Sequence, residues 1–350
     1  MAGTDFERRG EIPGEPVLAD SQSGSRRRGD EAPTAAQARG RSPHVSETTF
    51  HVRDYDLGAT LDSGQVFRWH RQNNSWTGVI GQHAVRLTQT GDGIYAESTG
   101  PAGDWRWLRD YLQIEVELKA VLTTFPDDAP MRNAVTACQG LRVLRQDPWE
   151  CLASFILSST KQIVQIRQIV ALLCERFGTP LTPRVPASCR PVPVKNANPA
   201  GRDAGAPGSK CEFFRSFPTP QRLATASEAE LRVCKMGFRA PHLLAAARRI
   251  ADGKFDLERP RRLPLAEARA ELTKLRGVGG KIADCVLLFA YGFDSAFPVD
   301  VWVERALRKL YFPRRRVTAK RLRHFAATHF GPHAGYAQQY LFHYMRTKMK

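Results

Sequence analysis

At 350 residues and 42% hydrophobic, the chain can bury a sizeable core, and its length suits two or three domains. Its formal net charge is +17, a surplus that a polyanion such as nucleic acid would feel. Residues 301–350 hold 12 Lys and Arg against one acid, Glu304, so about +11 of that charge lies in the last fifty positions. No apolar run approaches the roughly 18 residues of a membrane-spanning helix, and the first thirty residues lack the apolar centre of a signal peptide. A cytoplasmic setting is expected, at the nucleoid in a bacterium or in the nucleus of a eukaryote. Seven cysteines without a CxxC pair fit reduced thiols better than a disulfide framework or a zinc site. With none after Cys285, a cysteine-ligated iron–sulfur cluster near the C-terminus is excluded, and neither metal nor cofactor is expected.

Residues 1–45 are rich in Gly, Ala, Ser, Pro and Arg, and read as a disordered tail. Its seven basic and seven acidic residues cancel, which makes Arg26–Arg28 a poor DNA anchor. From residue 46 the pattern turns to strands: TTFHV, QVFRWHRQ, SWTGVIG, AVRLTQT and GIYAEST alternate or are β-branched, and turn signals such as QNNS and TGDG part them. An antiparallel sheet of five strands is expected within residues 46–135. After GDWRWLRDYL the period becomes helical, and eleven segments from VELKAVLTTF to AGYAQQYLFHYMRTK carry apolar residues at helical spacing. Residues 136–350 thus read as an all-α domain, and the fold class as α+β. Residues 183–211, with six prolines and little aliphatic content, read as a flexible surface insertion.

Within the helical part, LRGVGGKIADC (275–285) breaks the pattern: apolar spacing stops at Leu275 and resumes at Ile282, giving a helix, a short hairpin and another helix. Gly277, Gly279 and Gly280 permit backbone closed to other residues and let a ligand come near the main chain. Free amides and the dipole at the next helix make the corner suitable for phosphate; the alternative is a tight turn joining two core helices. The basic flanks Lys274, Arg276 and Lys281 favour a DNA backbone. At the first helical turn the dipole disfavours a cation, which suits Lys281 as an amine nucleophile; the alternative is a lysine that contacts phosphate. Asp300, in FPVD nineteen residues later, suits an N-cap or a fixed anion beside a cationic sugar, and the two roles are compatible.

The helix, LRGVGGK, ADC and FPVD together resemble the helix-hairpin-helix DNA glycosylase superfamily with its Gly/Pro-rich loop and aspartate. More narrowly, residues 46–345 resemble the 8-oxoguanine DNA glycosylase/AP lyase family, through SGQVFRW (63–69), LRVLRQDPWECLASFILSS (141–159), MGFRA (236–240), VGGKIADC and GYAQQYLF (335–342). The resemblance implies a bifunctional enzyme of base excision repair that acts on double-stranded DNA containing 8-oxoguanine, works as a monomer and needs no membrane. Lys281 would be the Schiff-base nucleophile and Asp300 the carboxylate that stabilises the cationic transition state. Gly64 would offer its carbonyl to the N7 hydrogen that separates 8-oxoguanine from guanine. Gln338 would read the Watson–Crick edge, and Phe342 and Cys285 would sandwich the extruded base. Gln338 and Phe342 are four apart, as are Lys281 and Cys285, so each pair shares a helical face; taken singly, Phe342 and Cys285 suit an ordinary core. Thr160 and Arg239 would touch DNA.

Four positions depart from the family pattern. Thr160 stands where an asparagine wedge is expected, Gln165 where an arginine reads the orphaned cytosine, Phe238 for a tyrosine, and Trp302 for a histidine. The residues that would read the base opposite the lesion thus differ from the family's, whereas the lysine and aspartate do not, and Lys161 or Gln162 is available to fill the vacated stack. The rival readings are a monofunctional or alkyl-base glycosylase of the same superfamily, which lacks a lysine at this position, and a non-catalytic DNA-binding module.

Overall fold

The computed structural model describes residues 45–91, 93–100, 103–181 and 214–347. Of the proposed tail only Val45 is described, and it begins the first strand rather than extending the tail; the proposed Pro-rich insertion lies outside these residues. Five strands, β1 (Val45–His51), β2 (His70–Gln72), β3 (Ser75–Ile80), β4 (His83–Thr90) and β5 (Gly93–Thr99), form one antiparallel sheet in the order β1-β5-β4-β3-β2. Three tight reversals join β2 through β5, while β1 returns to the far edge beside β5. Alternation along the strands buries Phe50, Trp76, Val85, Leu87, Ile94 and Ala96 on one face. That face is covered by α1 (Leu57–Asp62) through Leu57 and Leu61, and by α2 (Arg106–Leu112) through Leu108 and Leu112.

The run QVFRWHRQ is strand only at its end, in β2. Upstream of it the chain enters α1, capped by the Asp56 carboxylate on Ala59 N (2.7 Å), a helix too short to display a period. Gly64 then takes φ +83°. Gln65, fully buried, donates to Thr60 O, Ser63 Oγ and Arg142 O and accepts from Leu144 N. Side-chain hydrogen bonds thus replace ladder bonds over Gly64–Trp69.

The remaining helices are α3 (Leu118–Leu122), α4 (Ala129–Ala137), α5 (Pro148–Leu157), α6 (Ile163–Phe177), α7 (Pro220–Ala224), α8 (Glu228–Val233), α9 (Ala240–Ala251), α10 (Leu265–Thr273), α11 (Gly280–Val286), α12 (Val301–Tyr311), α13 (Ala319–His329) and α14 (Ala334–Thr347). Many begin at a polar side chain that accepts an amide hydrogen bond: Asp128, Asp147, Thr219, Ser227, Asp300 and Thr318 do so. Helix α7 is the one among these that the periodicity did not announce; five residues with Leu223 alone buried leave no pattern to detect. Helix α5 is apolar almost all round and lies centrally against α6, α9 and α11. A second core built on these helices takes in Phe67, Leu118 and Met131 from the sheet-side sequence, and the described residues belong to one unit.

Helix α11 does not stop at Val286. It continues as a π-helical turn, Leu287–Tyr291, closed by Gly292 at φ +78°. The Phe289 carbonyl accepts from Gln146 N (2.7 Å), and the Gln146 side chain donates to Gln65 O (2.8 Å). The irregular turn thereby ties the hairpin helix to the segment that carries Gly64.

Candidate active site

A cavity of about 330 Å³ opens between α5, α6, α11, α12, α14 and the Gly64 turn, a size within the range of about 300–1,000 Å³ usual for small-molecule sites. Six residues singled out from the sequence line it: Gly64, Lys281, Cys285, Asp300, Gln338 and Phe342. They come from four separate stretches of chain, so only folding brings them together.

Lys281 enters from the first turn of α11. Its Nζ donates to Ser158 Oγ (3.3 Å) and stands 5.1 Å from the centre of the Phe155 ring. Ser158 spends its own proton on Phe155 O (2.7 Å), which leaves an oxygen lone pair for the lysine. Opposite, Asp300 caps α12 by accepting from Val303 N (2.8 Å). Burial pushes its carboxyl above the ordinary range, opposed by the helix amides and by the Lys281 charge. The Cys285 thiol, buried one turn along from Lys281, is pushed up to about 12 by burial, so it presents a neutral, polarisable surface.

The opposite wall is α14. Gln338 is 4% exposed and its Oε1 has no hydrogen-bond partner among the described residues, an orphan acceptor on the cavity lining. Leaving a buried acceptor unpaired costs about 1–3 kcal/mol, which a ligand donor would recover. Phe342, one turn along, lies beside Gly64: a Cβ added at Gly64 would stand 2.7 Å from Ile163 Cδ1 and 3.2 Å from Phe342 Cε1. Together with its positive φ, this restricts the position to glycine.

The hairpin glycines differ among themselves. Gly277 takes φ +83°, and a Cβ there would meet His242 Cγ at 2.6 Å, so the turn itself requires it. Gly279 and Gly280 face open space. No packing within the described residues demands glycine there, and the surface is clear for an approaching backbone.

Thr160 and Arg239 do not line the cavity; they hold each other. Thr160 adopts φ +57°, unusual for a β-branched residue. Arg239 is 2% exposed, and its Nη2 donates to Ser159 O and to Thr160 Oγ1 (2.5 Å). Its guanidinium also lies over Phe238, which is exposed. Gln165 is committed to α6: its Oε1 accepts from Gln162 N (3.1 Å) in a capping box.

Several lining residues lay outside the sequence reading: Ser158, Phe155, Gln339, Trp302 as a wall, and Arg346. Ser158 and Phe155 sit inside the quoted LASFILSS motif, and Gln339 follows Gln338, yet nothing in the spacing distinguishes them from core residues. Lys161 and Gln162 also line the cavity.

The 8-oxoguanine DNA glycosylase N-terminal domain family matches residues 48–152, and the HhH-GPD superfamily of base excision DNA repair proteins matches residues 153–331. An N-glycosylase/DNA lyase of Arabidopsis thaliana is 31% identical over 82% of this chain and 76% of its own. A probable N-glycosylase/DNA lyase of Methanothermobacter thermautotrophicus is 27% identical over 84% of this chain and 95% of its own. Among solved structures, the Clostridium acetobutylicum 8-oxoguanine glycosylase/lyase, in complex with double-stranded DNA containing cytosine opposite 8-oxoguanine, superposes with a TM-score of 0.73 at 29% identity. It covers 88% of this chain and 99% of its own. With both halves matched in order, the chain belongs to the HhH-GPD superfamily of base excision DNA repair proteins, in the 8-oxoguanine DNA glycosylase branch.

Proposed function

We propose that the protein is a bifunctional DNA glycosylase and AP lyase of base excision repair, which excises 8-oxoguanine from duplex DNA through a lysine Schiff base and β-elimination. The observation that carries this is the meeting of Lys281 and Asp300 in one cavity whose other walls are Gly64, Gln338, Cys285 and Phe342. The partner is double-stranded DNA, and the work is done wherever the chromosome lies; no described helix is long and apolar enough to cross a membrane.

A base within a duplex hides both its C1′ and its Watson–Crick edge, so the nucleotide must be extruded at a cost of roughly a few kcal/mol. The open main chain around Gly279 and Gly280 and the exposed cations Arg305, Lys309, Arg314, Arg315 and Arg316 would offset this through phosphate contacts. In the cavity the base would lie between Cys285 and Phe342, with Gln338 on its Watson–Crick edge and the Gly64 carbonyl accepting from N7–H. The Lys281 Nζ lone pair attacks C1′, the C1′–N9 bond breaks, and the electron pair leaves with the base, which takes up a proton. Asp300 stabilises the positive charge on the sugar. Loss of the proton from nitrogen and ring opening give the imine. This acidifies the C2′ hydrogen, and its removal expels the 3′ phosphate as the C3′–O bond breaks. Water as nucleophile would end the reaction at the abasic site; an amine carries it on to strand cleavage.

Arg239 is placed by this reading as a support for Thr160 rather than as a direct DNA contact, since it is buried and turned inwards. With Gln165 occupied in capping, the orphaned base would meet a surface unlike the family's.

Borohydride trapping on a duplex carrying one 8-oxoguanine, with wild type and Lys281→Gln in parallel, tests the proposal. A covalent adduct in wild type alone is expected. Tight binding without an adduct in either protein would leave the monofunctional glycosylase or the DNA-binding module.

A further inference from the structure

The turn that carries Gly64 is saturated with hydrogen bonds in a selective way. Asp62 O accepts from Arg346 Nη1 (3.2 Å), Ser63 O from Gln339 Nε2 (3.0 Å) and Gln65 O from Gln146 Nε2 (2.8 Å). The Gly64 carbonyl, in the middle of this series, accepts no hydrogen bond from the described residues. Two of the three donors come from α14, the same helix that supplies Gln338 and Phe342, and the Arg346 guanidinium also lies 5.5 Å from the centre of the Phe342 ring. Gln339 is 2% exposed, so its bond to Ser63 O is sheltered from water.

We propose that Gln339 and Arg346 are specificity-positioning residues, which fix the peptide planes before Gly64 so that its carbonyl is the one acceptor the turn offers to a purine. This rests on the function proposed above. The physical reason is a contrast in what the two purines present at N7. 8-Oxoguanine brings a donor, which the open carbonyl satisfies; guanine brings a lone pair, which the carbonyl opposes. A site built to pair a donor rejects the analogue that lacks it, because its own buried polar group is then left unpaired. Such rejection requires an acceptor that cannot turn away. If the peptide planes at 62 and 63 were free, the turn could rotate and soften the mismatch. Donors from α14 on both preceding carbonyls prevent that, and they couple the turn to the helix that reads the base's other edge.

The test uses the full chain with Gln339→Met, Arg346→Met and Arg346→Lys. Two single-turnover rates are compared in each: excision from a duplex carrying 8-oxoguanine, and nicking of a duplex with a pre-formed abasic site, where no base is read. In Gln339→Met and Arg346→Met the ratio of excision to nicking should fall about tenfold, as expected for loss of one orienting hydrogen bond, and Arg346→Lys, which keeps a donor, should recover part of it. Excision and nicking that fall in proportion, or a ratio that does not move, would overturn the proposal. A thermal melt separates misfolding from mispositioning. If Gln339→Met does not fold, the Arg346 pair, nearer the surface, decides alone. A wild type that nicks abasic DNA but leaves 8-oxoguanine in place would instead sink the function on which this rests.

Discussion

The two walls of the cavity are built on opposite principles. The wall formed by α11 and α12 carries charge at a cost: Asp300 is buried with its carboxyl pushed up, and Lys281 has a long hydrogen bond to Ser158 (3.3 Å). The wall formed by α14 and the Gly64 turn is closely tied, with Gln339, Gln65, Gln146 and Arg346 all spent on main-chain carbonyls. Chemistry needs groups that are poorly satisfied before the substrate arrives, because only then does the transition state gain more than the ground state. Recognition needs groups that cannot move. The molecule separates the two tasks between different helices.

The comparison breaks most sharply at Lys281. Lys281→Gln should reduce both base release and nicking by on the order of 10^4-fold or more, the scale on which a covalent nucleophile is lost, while a melt and DNA binding change little. Asp300→Asn comes next. Asparagine still caps α12, so folding is retained, but the rate should fall by about 10² to 10³-fold, as for loss of an electrostatic stabiliser. The same variant reads the pH profile. Asp300 must be ionised to act, and its carboxyl lies above the ordinary range. Activity is therefore lost as pH falls through that raised value, and the acid limb should stand above the ordinary carboxylate range and disappear in Asp300→Asn. For stability the sign is the reverse of the usual acidic residue: the native state holds this proton more tightly than the unfolded chain, so ionised Asp300 opposes folding above its raised value.

On the reading wall, Gly64→Ala would place a methyl 2.7 Å from Ile163 Cδ1 at φ +83°. It should lower stability by about 1–3 kcal/mol in a denaturant melt, and should reduce excision of 8-oxoguanine more than nicking of abasic DNA. The smallest effect lies outside both walls. Thr160→Asn relieves a β-branched residue of its positive φ and keeps an oxygen for Arg239, so stability should rise by about 1 kcal/mol. If it falls instead, the Arg239 contact rather than backbone strain governs that turn.

The chemical wall was the more legible in the sequence. A lysine after a glycine hairpin and an aspartate nineteen residues on stand within one continuous helix-hairpin-helix stretch, and local backbone rules place both: the first turn of α11 for Lys281, the N-cap of α12 for Asp300. The reading wall was legible only by resemblance. Gly64 and Gln338 are 274 residues apart, and no local rule distinguishes Gln338, whose Oε1 is left without a partner among the described residues, from Gln339, which is spent on Ser63. The extended stretch before β2 misled for the same reason: β-forming residues such as Val66 and Trp69 were read as strand, whereas Gln65 ties that stretch to residues 142–144 across the fold.

The sequence by itself determined the division into a sheet and a helical bundle, most of the helical segments and the concentration of basic charge towards the C-terminus, because all of these follow from short-range periodicity and composition. Only the tertiary structure decided which polar groups remain unsatisfied. Burial and partnership are properties of the neighbours a residue acquires, and those neighbours arrive from distant parts of the chain. The open carbonyl of Gly64, the orphan amide oxygen of Gln338 and the raised carboxyl of Asp300 exist only once the fold has excluded water around them.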